Sequence, residues 1–287
     1  MLIILIVLAV LGAGAAAFFL WIKPKWINRI DVGPGTTALS KIAVNIGAGD
    51  LLDPSTAASR LTIYLDELIG LGYSREIRCI FTPGLGSIIY EHWWPVLRAK
   101  GFKVLAILAQ GKTDSADIAE ASEAWARQIL PLVKDDLLGV QIVNEQAYFF
   151  QPNEYVAWHR KMVPLVRSLV PGVPIVAGDF GHADGRNGID QWERLVKSGF
   201  VSSLDFNVIS LHLTRISKEG ELRRMVERLK NLHGFPLATR YWVTEGDWGH
   251  LPWLQSQGIK VEKVFLYSWN SDDGLALRPG NAPLPIV

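Results

Sequence analysis

The sequence predicts a (β/α)8 barrel, and three observations carry that reading. Eight short apolar runs recur along the chain, amphipathic stretches of helical length separate them, and glycines stand where those helices would stop. Strands of this kind, separated by helices, pair in parallel, and eight of them close a barrel. The length of 287 residues, with 49% hydrophobic and 20% charged side chains, suits one large core and is too short for two enzyme domains.

The elements follow in order. Residues 2–22, LIILIVLAVLGAGAAAFFLWI, carry no charge and would span about 30 Å as a helix, the thickness of a bilayer core. Residues 1–24 therefore read as a transmembrane helix, or else a signal peptide. The lack of a basic residue before the run, and the apolar Phe18 to Ile22 after its Ala-Ala-Ala site, favour an uncleaved anchor. Trp21 and Trp26 flank Lys23 and Lys25 as an interfacial belt would. A Gly/Pro/Thr-bearing linker, 25–38, leads into the barrel, 39–287.

Strands are expected near 41–47, 76–82, 103–109, 138–144, 174–178, 206–212, 239–244 and 262–268. Helices are expected between them: 115–134 repeats Ile118, Ala121, Trp125, Ile129 and Leu132 at spacings of three and four, and 219–232 repeats Leu222, Met225, Val226 and Leu229. Gly72, Gly101, Gly172, Gly199, Gly234 and Gly258 mark the helix stops. After the eighth strand only 270–287 remains, with three prolines and two glycines, so the last outer helix is expected to be short or missing. Gly47-Ala48-Gly49-Asp50 is too short to be a dinucleotide loop, which counts against a doubly wound sheet.

Composition excludes some functions. Lys plus Arg number 29 against 28 Asp plus Glu, so there is no field to gather nucleic acid. The one cysteine, Cys79, lies in an apolar run and reads as a buried hydrophobe. Nothing in the sequence specifies an oligomeric state.

Active sites of such barrels lie at the C-terminal strand ends. Those ends offer Asn45 and Asp50, Arg78, Gln110, Asn144 and Glu145, Asp179 and His182, His212, Glu245 and Asp247, and Trp269. Glu145 alone could be a surface acid and His212 a core histidine. An arginine inside an apolar strand needs an acidic partner, and the two glutamates at strand ends four and seven are the natural ones. Asp179, His182 and Asp184 lack the convergent histidines of a metal site and read as polar loop caps. Trp125, Trp158 and Trp192 fall on core-facing helical positions, whereas Trp248, Trp269 and Tyr148-Phe149-Phe150 follow strand ends and are candidate stacking platforms.

Arg78, Asn144-Glu145, His212, Glu245 and Trp269, in that order, resemble the clan A glycoside hydrolases, which include cellulases, mannanases and xylosidases. The resemblance covers most of residues 40–280. It is carried by Gln141-Ile142-Val143-Asn144-Glu145-Gln146, by Trp242-Val243-Thr244-Glu245-Gly246-Asp247-Trp248, by Asp205 to His212, and by Phe265-Leu266-Tyr267-Ser268-Trp269. It implies Glu145 as acid/base, Asn144 as the partner of a sugar 2-hydroxyl, Glu245 as nucleophile and Trp269 as the floor under the sugar, with no metal or organic cofactor. Arg78 would keep Glu245 ionised while Glu145 needs a raised pKa to donate its proton. One departure is His212-Leu213-Thr214, where the clan commonly carries an aromatic two residues past the histidine.

The function implied is a retaining glycosidase cleaving a β-linked poly- or oligosaccharide by double displacement, endo-acting because short βα loops wall off little. The alternative is a catalytically impaired glycan-binding barrel tethered to the membrane. A metal-dependent barrel hydrolase is disfavoured by the histidine count. Positive charge after the apolar segment would retain the domain in the cytoplasm, but an extracellular polysaccharide needs the other side, so the expected location is membrane-anchored and extracytoplasmic.

Overall fold

The computed structural model describes residues 42–47, 51–109, 115–145, 150–179, 188–197, 206–213, 223–224, 227–228, 240–246, 254–259 and 261–267. Eight parallel strands close into a barrel in sequence order: β1 (Ile42–Asn45), β2 (Glu76–Ile80), β3 (Lys103–Ile107), β4 (Leu137–Gln141), β5 (Ile175–Asp179), β6 (Val208–His212), β7 (Arg240–Gly246) and β8 (Val261–Leu266). Ile42, Ala43 and Val44 pair with Val264, Phe265 and Leu266 to seal it. Helices α1 (Ala57–Gly70), α2 (Pro83–Ile88), α3 (Trp94–Ala99), α4 (Ser115–Val133), α5 (Pro152–Leu169) and α6 (Gly188–Lys197) lie between the first six strands, and a π-helical turn, Ile89–Trp93, joins α2 to α3.

Each expected strand is present and starts within two residues of its expected position. The reason is that a parallel barrel strand is covered on both faces, inside by the barrel filling and outside by helices, so it reads as a continuous apolar run. All of β1 and all of β6 are buried. Ala43, Leu105, Val176 and Trp242, one from each odd-numbered strand, pack with Val208 and Phe265 in the barrel interior. This is the layered filling that closes such barrels. The Trp242 indole donates to Glu262 Oε2 at 3.1 Å, which satisfies its only polar atom.

Positive φ angles at Gly72, Gly101, Gly172 and Gly258 (82°, 71°, 83° and 78°) bear out those four as helix stops. Trp125, Trp158 and Trp192 are buried as expected, and Trp93 and Trp94 are too. Gly199, Gly234, nearly all of 219–232 and everything after residue 267 lie outside the described residues.

The expectation of a transmembrane helix is corrected. No helix among the described residues is long and apolar enough to cross a membrane. Residues 1–24, on which the anchor or signal peptide was placed, lie outside the described residues. Most apolar side chains of the described stretches are buried, Ile63, Leu71 and Leu132 being exposed. The fold class of the described residues is the barrel, and membrane attachment, a membrane partner and an extracytoplasmic location are not carried further.

Two packing features have measurable consequences. A Cβ on Gly86 would lie 2.0 Å from Cζ2 of Trp125, whose Nε1 is held by Phe81 O at 2.9 Å. Gly to Ala inside a helix ordinarily gains about 1 kcal/mol, but overpacking costs about 1–3 kcal/mol. Overlap with a pinned indole puts Gly86→Ala at the upper end, so a net loss of about 1–2 kcal/mol is expected in the urea midpoint.

Burial pushes the Cys79 thiol up to about 12, against the opposing pull of the Arg78 charge. Iodoacetamide at pH 8 should leave the folded protein unlabelled and should label it once urea unfolds it. Because the folded thiol holds its proton beyond the unfolded one, this group lowers stability as pH rises from the unfolded value of 9.0 toward about 12.

Candidate active site

Strand register assembles the site. Pairing of β1 with β2 sets Asn45 beside Arg78, and pairing of β6 with β7 sets His212 beside Glu245. Arg78, 3% exposed, is the hub. Its Nη1 donates to Glu245 Oε1 at 3.0 Å and to Asn45 Oδ1 at 2.7 Å. Its Nη2 donates to Asn144 Oδ1 and lies 3.3 Å from His212 Nε2, while its Nε donates to Gln141 Oε1 at 2.9 Å. A buried guanidinium is costly unless its charge and its donors are all met, and here both conditions hold.

Asn45 braces the opposite side. Its Nδ2 donates to Thr244 O at 2.7 Å, on the residue that precedes Glu245. Ser210 and Thr244, both fully buried, share a hydroxyl hydrogen bond between β6 and β7. Thr244, the residue before Glu245, is thus tied through its carbonyl to β1 and through its hydroxyl to β6.

Glu145 reaches the same place differently. The β4 ladder ends at Gln141, three residues short of the expected end, and Asn144 N–H bonds to Ala109 O at 3.0 Å. Glu145 then adopts φ 47°, the one positive φ outside glycine among the described residues. Such a conformation costs about 1–3 kcal/mol and persists where surrounding structure holds it. The far side of the connection is pinned as well: Gln191 Nε2 donates to Phe150 O at 2.7 Å, and the Phe150 ring stacks on Trp158 at 5.4 Å. Phe150 is therefore buried core and not the stacking platform expected of it. An aromatic that follows a strand end can turn inward when a helix such as α5 offers it a ring to pack on.

One ligand atom from each of Glu145, His212 and Glu245 lies within 4.8 Å of the others. His212 Nδ1 stands 3.6 Å from Glu145 Oε1 and 3.6 Å from Glu245 Oε2. The Glu145 side chain is 35% exposed and that of Glu245 is 11% exposed, so Glu145 is the more accessible to solvent. This donor set could in principle take a metal, but the Arg78 cation bonded to Glu245 and against His212 would repel a dication there. Paired carboxylates with a fixed cation under one of them suit proton transfer and nucleophilic displacement instead.

Of the expected site residues, the structure brings together Arg78, Asn144, Glu145, His212 and Glu245. Tyr148, Trp248 and Trp269 lie outside the described residues, as do Asp50, Gln110, His182, Asp184, Thr214 and Asp247. Asp179 ends β5. Gln141 is the contact that sequence reasoning missed. Its signal was the same as that of Arg78, a polar residue inside an apolar strand.

No protein-family model matches the chain, and no curated protein does. Solved structures do match in fold. A family 39 β-xylosidase from Caulobacter crescentus aligns with TM-score 0.54 and 14% identity over 84% of this chain and 64% of its own. A family 17 β-1,3-glucanosyltransferase from Rhizomucor miehei aligns with TM-score 0.54 and 12% identity over 82% and 88%. A β-galactosidase from Marinomonas ef1 aligns with TM-score 0.53 and 12% identity over 80% and 54%. The chain thus spans less than two thirds of the length of the xylosidase. A distant but consistent group of clan A glycosidase barrels shares this fold, and identities this low speak to the fold alone.

Proposed function

We propose that this barrel is a retaining glycosidase acting on a β-linked poly- or oligosaccharide. The observation that carries the reading is the approach of Glu145 and Glu245 to within 4.8 Å around His212. Retaining enzymes hold their carboxyl groups about 5–5.5 Å apart, and inverting ones about 6.5–9.5 Å, to admit a water. The spacing here favours direct attack.

In this reading Glu145, the more exposed acid, protonates the departing glycosidic oxygen while Glu245 attacks the anomeric carbon and forms a glycosyl ester. Glu145, now a carboxylate, takes a proton from water, which attacks the same carbon and releases Glu245. Arg78 orients Glu245 through a charge-assisted hydrogen bond. The Asn144 oxygen is committed to Arg78, so its amide N–H group is the one to meet a sugar 2-hydroxyl. An endo-acting groove rests on short connections such as the two residues between β2 and α2.

The test is hydrolysis across β-glucans, mannans and xylans, with the anomer of the released sugar followed by NMR. Release with retained configuration supports the reading. Inverted product, or no release from folded protein on any member of the panel, sinks it.

A further inference from the structure

Arginine offers five N–H donors, accepts nothing, and stays charged throughout the pH range of a folded protein. All five donors of Arg78 have partners: Gln141 on Nε, Asn45 and Glu245 on Nη1, Asn144 and His212 on Nη2. Since Arg78 can only donate, His212 Nε2 must accept, and an accepting ring nitrogen carries no proton. The ring proton of His212 therefore sits on Nδ1, the nitrogen 3.6 Å from both Glu145 Oε1 and Glu245 Oε2.

The rotation of the guanidinium decides this. Swinging it about its long axis would take Nη2 away from His212, and Nε is the donor nearest that axis. Gln141 is fully buried, accepts from Nε at 2.9 Å, and donates through Nε2 to Val143 O at 3.2 Å and toward Asn144 Oδ1 at 3.4 Å. Its amide can point only one way, because Arg78 requires an oxygen and Val143 O requires an N–H.

We propose that Gln141 is a positioning residue which, through Arg78, holds His212 as the neutral Nδ1–H tautomer and places one N–H between the two carboxylates. The use of that proton rests on the glycosidase reading. In the resting state the negative charge is on Glu245; once the glycosyl ester forms, it is on Glu145. An N–H equidistant from both favours the charge wherever it stands, and His212 neither gains nor loses a proton in the cycle. A charged imidazolium could not do this beside Arg78, since it has no lone pair for the guanidinium.

The experiment uses protein with 15N-labelled histidine and long-range 1H–15N spectra at neutral pH, with the His212 signals identified by their loss in His212→Asn. Wild type should show a protonated Nδ1 and a bare Nε2. Gln141→Met, which removes the acceptor, should mix or switch the tautomers and lower kcat about tenfold with KM within about twofold, the scale of one lost hydrogen bond. Gln141→Glu keeps the acceptor and should keep the tautomer. An imidazolium or an Nε2–H ring in wild type overturns the proposal, as does a folded Gln141→Met with unchanged tautomer. If Gln141→Met does not fold, Gln141→Glu decides alone: a switched tautomer overturns the proposal and a retained one supports it. The resting spectrum needs no turnover, so a protein that hydrolyses nothing would refute the glycosidase reading and leave the tautomer to be judged on its own.

Discussion

Glu245→Gln should lower kcat/KM by on the order of 10⁴-fold or more, the loss seen when a member of a covalent catalytic set is removed. An amide is a poor nucleophile toward an acetal carbon and makes no ester that water can then open. The side chain keeps its shape, and its remaining oxygen can still accept from Arg78 Nη1, now at 3.0 Å from Oε1. What changes is the charge, because Arg78 loses the one carboxylate that contacts it among the described residues. Removing one member of a buried ion pair costs about 3–5 kcal/mol, and the retained hydrogen bond should reduce that figure. Circular dichroism and a thermal melt on the same preparation separate the two effects. A variant that is folded and still turns over at more than about 1% of wild type would remove Glu245 from the nucleophile role.

Glu145→Ala should show a loss that depends on the leaving group. On a natural glycoside, whose alkoxide must be protonated to depart, general acid catalysis is worth about 10²–10⁴-fold, and that is the expected drop in kcat/KM. On an aryl glycoside with an acidic phenol the first step needs no proton, so the glycosyl ester should form quickly and accumulate for want of a base. A burst of phenol followed by slow turnover is the signature. Azide, already an anion, needs no base, and should restore turnover by attacking the anomeric carbon. Its product keeps the configuration of the substrate, since two displacements have occurred at that carbon. Equal losses on both substrates, or an azide product of inverted configuration, would place the acid elsewhere. Glu145 has the exposure this role asks for, at 35% of its side chain.

The polar site residues were legible for one physical reason. Arg78, His212 and Glu245 each interrupt a run that is otherwise buried on both faces, and a buried polar group must have partners. Gln141 interrupts its run in the same way, but its meaning depends on which donor of Arg78 reaches it, a matter of side-chain rotation that no spacing encodes. The left-handed turn at Glu145 was equally hidden, because glutamate has no preference for φ 47° and such a conformation depends on the surrounding structure that holds it. Phe150 misled for the opposite reason: its position after a strand end suggested the cleft, and the ring of Trp158 drew it into the core.

By itself the sequence determined the barrel, its eight strands and the identity of the polar groups at their ends, because these follow from local periodicity and from the cost of burying a charge. Only the tertiary structure decided the register in which β1 meets β8, that Asn45, Gln141 and Asn144 share one guanidinium, and that His212 turns the same nitrogen to two glutamates a hundred residues apart in the chain. Closure and register bring together residues whose separation along the chain carries no information about their distance, and at that distance a few tenths of an ångström decide which atom holds the proton.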